Sequence, residues 1–179
     1  MKKLSALMLV LAGLMTTPAM AQDSTDVAAT NSKMYAAIAK INFSSDNTTG
    51  VGPITSAMPL MTINISNDSD YELFIKTFSV TFSVSGEVTA WPSINGSERA
   101  YHMVFVVPQG QSVIMTFPVA GYHPIAPHST ARLDLFAIIP DAPKRTLTCA
   151  TTFTQVEYLL GSWMGIMTPN VYCRNWKVQ

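Results

Sequence analysis

Three histidines, eleven methionines and two cysteines are the residues of this chain best suited to chemistry. His102-Met103, Met115 and His123 fall in neighbouring segments, with Met58 and Met61 upstream and His128 just beyond. Imidazole and thioether are soft ligands, and together they suit copper(I). One reading is therefore a copper site built from His102, Met103, Met115 and His123. The competing reading is that no cofactor is bound and the methionines fill irregular gaps in a core, as their flexible side chains do well. Cys149 and Cys173 stand 24 positions apart. Two thiolates without a neighbouring His do not make a zinc site. In an oxidising compartment an even pair reads as one disulfide, and a ring of that size contributes about 3 kcal/mol in the chain-entropy model.

Hydrolytic chemistry has little local support. None of the serines sits in a G-x-S-x-G elbow. A Ser-His-Asp triad is assembled by the fold and leaves no sequence trace of its own. The chain therefore reads as a non-enzyme. Three aromatics stand beside turn-forming residues: Trp91 next to Pro92, Tyr101, and Tyr122 next to Gly121. Rigid aromatics on loops offer contact surface for a protein or glycan partner. The plainer role for Trp91 is to plug the end of a fold. Asn-x-Ser/Thr triplets begin, among other positions, at Asn47, Asn64, Asn67 and Asn95. They read as Asn- and Ser-rich turns.

The compartment follows from the first 21 residues. Met1-Lys2-Lys3 is a basic start, Leu4 to Met15 is an apolar run of 12, and Ala19-Met20-Ala21 places small residues where a signal peptidase cuts. The run is too short for a span, which needs about 20 residues. Cleavage after Ala21 predicts a mature chain from Gln22 to Gln179 with no membrane insertion, working in a periplasm or beyond it. Losing Lys2 and Lys3 leaves 9 basic against 11 acidic residues, a net charge of −2. Such a chain has no electrostatic means of holding a phosphate backbone, which excludes nucleic acid as a partner.

The elements that must position these residues read as strands. Charged residues are 12% of the chain, about half the usual share, and Thr, Ser and Asn take the polar positions, which suits pleated surfaces. Residues 22–32 read as a loose lead. Tyr35, Ala37, Ala39, Ile41 and Phe43 share one parity, so Met34 to Phe43 reads as a strand. Met61, Ile63 and Ile65 alternate with Thr62, Asn64 and Ser66, and Phe78, Val80 and Phe82 alternate with Ser79 and Thr81. Trp91 to Arg99 reads as a loop or short hairpin around Asn95-Gly96. Tyr101 to Val107 and Ser112 to Val119 read as a hairpin turned by Pro108-Gln109-Gly110. Ala131 to Ile139 and Thr146 to Tyr158 add further strands. Residues 159–179 are open between a helical turn near Leu159 to Met164 and a last hairpin. The total is seven to eight strands and no long helix, an all-β antiparallel sandwich in one domain.

The segments Met61-Thr62-Ile63-Asn64-Ile65-Ser66-Asn67 and Phe78-Ser79-Val80-Thr81-Phe82 resemble the immunoglobulin-like domains of exported bacterial proteins. That resemblance implies a non-catalytic binding role in adhesion, virulence or inhibition, or a structural accessory of the envelope or a surface appendage. The His and Met layout is similar to small periplasmic copper-carrier sandwiches. Those end their motif in His-x-Met, whereas His123 is followed by Pro124 and Ile125. Fimbrial subunits tie their disulfide near the first strand, and here both cysteines lie in the last third.

Overall fold

The computed structural model describes residues 24–45, 50–55, 58–98, 102–119, 124–144, 146–147, 151–169 and 176–179. Their order is α1 (Ser24–Ile38), β1 (Ile41–Ser45), β2 (Gly50–Val51), β3 (Met61–Asn67), β4 (Leu73–Phe82), β5 (Gly86–Ile94), β6 (Ser97–Glu98), β7 (Met103–Val107), β8 (Val113–Pro118), β9 (Ser129–Ile138), β10 (Thr146–Leu147), β11 (Thr151–Leu160), β12 (Trp163–Met167) and β13 (Trp176–Lys177). Nine of these strands have five or more residues, one or two beyond the expected number, and four are two-residue pieces.

The strands form an antiparallel sandwich. A first sheet runs β1-β3-β9-β5, with β6 and β7 both pairing β5, and a second runs β12-β11-β4-β8. The alternation read from the sequence sets which side chains meet between them. Ile63 and Ile65 of β3 stand opposite Leu133 and Ala131 of β9 and face inward. Phe78, Val80 and Phe82 of β4 face them from the second sheet and are at most 1% exposed. Phe82 meets Phe105 of β7 edge-on at 4.9 Å between ring centres, which ties the two sheets together. Phe78 stacks on Phe117 at 5.3 Å. A third, small sheet, β10-β13-β2, lays Trp176 into the core, and Trp176 Nε1 donates to the Gly52 carbonyl at 2.9 Å.

Four expectations are corrected here. Residues 24–32 of the expected lead and the first part of the expected strand over 34–43 are a helix, α1, and the strand begins only at Ile41. Four alanines favour that helix, and Met34, Ala37 and Ile38 form its less exposed stripe at helical spacing. The segment from Trp91 is not a loop: Trp91 to Ile94 is the second half of β5, paired to β9. Pro92 is accommodated there because β7 ends its pairing at Ala90 and β6 begins at Ser93, leaving a gap on that side. Asn95-Gly96 does turn a hairpin, from β5 to β6, with both residues at positive φ. The Pro108-Gln109-Gly110 turn forms, with Gln111 N bonded to Pro108 O at 3.1 Å. It joins strands of different sheets, however, since β7 pairs β5 and β8 pairs β4. Finally, Leu159 to Met164 is no helical turn. Gly161 at φ 57 turns a hairpin from β11 into β12.

Candidate functional site

Among the described residues, Trp91 and His102 fall on one side of the first sheet and Met103 and Met115 on the other. Trp91 lies on its outer face, opposite Phe136 of β9, yet is only 4% exposed. His102 stacks on it at 4.2 Å with 13° between the planes, and Phe136 stacks at 5.8 Å on the other side. Trp91 is therefore a covered member of an aromatic row, not a loop aromatic offered to a partner. Its neighbour on the same face, Ser93, is also buried, and among the described residues neither Trp91 Nε1 nor Ser93 Oγ has a hydrogen-bond partner. Across the strands stands Asp134, whose carboxylate accepts from Thr62 Oγ1 at 2.6 Å and from Arg132 Nε at 2.8 Å.

The proposed ligand set divides the same way. His102 is exposed on the outer face, while the next residue, Met103, turns inward and packs on the core. Consecutive residues of a strand point to opposite faces, so one metal ion has no approach to both. Met115 packs against the core from β8 in the other sheet. Tyr101, Tyr122, His123, Cys149 and Cys173 lie outside the described residues. Among the described residues, no group of three or more His, Cys, Asp or Glu is gathered for a metal ion. His128 caps the turn before β9 at φ 52 and holds Asp70 Oδ1 at 2.9 Å.

Asn67, one of the sequon asparagines, is fully buried. Its Nδ2 faces the carbonyls of Tyr71, Ile125 and Ala126 at 2.8–3.1 Å, and its Oδ1 accepts from Ser69 Oγ at 2.7 Å. It ties the β3–β4 turn to the segment before β9.

What the sequence did not single out is the outer face of the second sheet. A groove of about 470 Å³ there is lined by Phe74, Lys76, Thr77, Pro118, Glu157 and Leu159. It lies beyond the point where β8 stops pairing β4, at Thr77↔Pro118. Register shifts in the β4–β11 ladder put Lys76 between paired residues and aim it at β11. Its Nζ donates to Glu157 Oε1 at 3.0 Å and touches Met164 Sδ at 3.4 Å, and Thr77 Oγ1 donates to Glu157 Oε2 at 3.3 Å. The Lys76 hydrogen bond, its charge and the Thr77 hydroxyl together hold the Glu157 carboxyl below the usual carboxylate range. Beside this pair on β12, Met164 and Ile166, opposite Leu159 and Glu157, are each about two-thirds exposed. A contiguous apolar patch framed by a few polar groups marks an interaction surface.

No family model matches this chain, and no curated protein matches it. Among solved structures it is similar to the seventh ScaB type I cohesin from Pseudobacteroides cellulosolvens, with a TM-score of 0.38 and 11% identity over 78% of this chain and 92% of that one. At that level the likeness carries no argument about a partner. No helix among the described residues is long and apolar enough to cross a membrane.

Proposed function

We propose that this protein is an exported, non-catalytic β-sandwich that binds another protein through the outer face of its second sheet, in the periplasm or outside the cell. The observation that carries the reading is the apolar groove bounded by Phe74, Pro118 and Leu159, with the Lys76–Glu157 pair set in it. Apolar area supplies the driving force for association, and one oriented ion pair fixes register. A protein fits this chemistry better than a glycan, because Trp91, the aromatic best suited to stack on a sugar, is covered. The start of the chain supports export, with its basic residues, short apolar run and Ala19-Met20-Ala21.

The test is capture from envelope and extracellular fractions by the immobilised mature protein, beside a Leu159→Lys variant. Leu159 is half exposed, so the charge perturbs the groove before the core. A captured protein that the variant no longer holds is the expected result. Equal capture by both, or none by the parent, overturns the reading.

A further inference from the structure

The two edges of the second sheet share a composition that soluble sheets normally avoid. β8 reads Val-Ile-Met-Thr-Phe-Pro and β12 reads Trp-Met-Gly-Ile-Met, with no charged residue in either. Edge strands present unpaired N–H and C=O groups, and proteins ordinarily blunt them with lysines, inward charges or bulges. Among the described residues, neither β8 nor β12 pairs a strand on its open side. Both faces of both edges carry exposed apolar side chains, with Thr116 the one polar residue among them. Outward, Ile114, Met164 and Ile166 are 64–66% exposed. Inward, Val113, Met115, Trp163 and Met167 pack on the core yet stay partly exposed. Each edge thus keeps apolar surface on its two sides that only another strand beside it would cover.

The direction of the strands fits a second copy as the occupant. All pairings in β12-β11-β4-β8 are antiparallel. With four strands, β12 and β8 run in opposite directions. Setting a second copy beside the first in the same orientation therefore places its β8 antiparallel to β12 of the first, and the sheet continues without a break. The first sheet lacks this property. Its path β1-β3-β9-β5-β7 is antiparallel throughout and has five strands, so its edges run the same way, although β7 at one edge is as apolar as β8, with Val104 and Val106 exposed. The lengths agree too, six residues in β8 and five in β12. The complementarity is one of partial charge. An antiparallel partner offers an acceptor to each outward N–H and a donor to each outward C=O, and no formal charge on either strand opposes the approach.

We infer that copies of this chain join head to tail, β8 of one adding as an antiparallel strand to β12 of the next. The inference rests on reading the second sheet as the binding face, and it assigns the edges of that sheet to a second copy while the groove remains for the other protein. A joint of five or six residues is small beside the roughly 1,600 Å² of a stable interface. Single joints are therefore weak and assembly is concentration-dependent. Because the contact joins two different edges it does not close on itself, and it propagates into a filament.

Sedimentation of the mature protein over a dilution series tests this, with Ile114→Lys on β8 and Ile166→Lys on β12. Both positions are exposed, and circular dichroism checks that each variant keeps its sheet. The parent should grow in mass with concentration. Each variant alone should stay monomeric, because each lacks one edge. Mixed, the two should form a one-to-one dimer and stop, since the open β12 of one variant accepts the open β8 of the other. A dimer from either variant alone would mean a like-with-like joint and would overturn the head-to-tail arrangement. A parent that stays monomeric while its capture of another protein persists would overturn self-assembly alone. Assembly with no captured protein would overturn the function proposed above and keep this one.

Discussion

Lys76 reaches across two strands because the β4–β11 ladder slips beside it. The shift from Glu157↔Thr77 to Tyr158↔Ile75 leaves Lys76 without a cross-strand partner. Its ammonium then satisfies Glu157 on one strand and rests on Met164 of the next. The consequence is measurable at one carboxyl. An NMR pH titration should find the Glu157 midpoint below those of unpaired exposed carboxylates, and Lys76→Met should raise it toward them. The sign follows from linkage: a depressed folded value gives stability that is present above the unfolded value and is lost as pH falls through the folded one. An unchanged midpoint in the variant would show that the pair does not form. Trp91 and Ser93 illustrate the other side of residue-scale reading. Their types are legible in the sequence, but their burial depends on what covers the outer face of the first sheet.

At the scale of elements, local patterns located strands better than they located partners. Alternation correctly marked β3, β4 and β9, because each has one face on a common core. Turn chemistry correctly marked Asn95-Gly96 and Gln109-Gly110 as reversals. Whether a reversal pairs its two strands or carries the chain across to the other sheet is decided by packing, since β7 and β8 each find a better neighbour than one another. The small sheet offers a sharp test of packing at this scale. β2 runs parallel to β13, with Gly50 opposite Trp176. A methyl group on Gly50 would run into the indole ring. Gly50→Ala should therefore cost at least about 1–3 kcal/mol in chemical denaturation, the usual range for overpacking. A parental midpoint would mean that the ring does not lie against Gly50.

For the whole molecule, the compartment bears on the cysteines, which themselves lie outside the described residues. An even pair of cysteines in a chain that carries an export signal reads as a disulfide, and we propose the Cys149–Cys173 bond on that ground. The intact mass of the unreduced mature protein should be lower by two hydrogens than that of the reduced protein, and reduction should lower stability by about 3 kcal/mol. Alkylation of both thiols without reductant would rule it out.

The sequence alone determined the all-β class, the inward-facing residues of β3, β4 and β9 and the positions of the main turns, and it is the ground on which export is proposed. Each of these depends on neighbours a few positions away, through side-chain alternation, turn propensity or an apolar run. The tertiary structure decided the rest: Trp91 is covered, His102 and Met103 face apart, and the groove and the two oppositely running edges lie on the second sheet. An apolar strand reads the same whether it is central or at an edge. Only the pairing of strands far apart in the chain determines which of them is left with an open side.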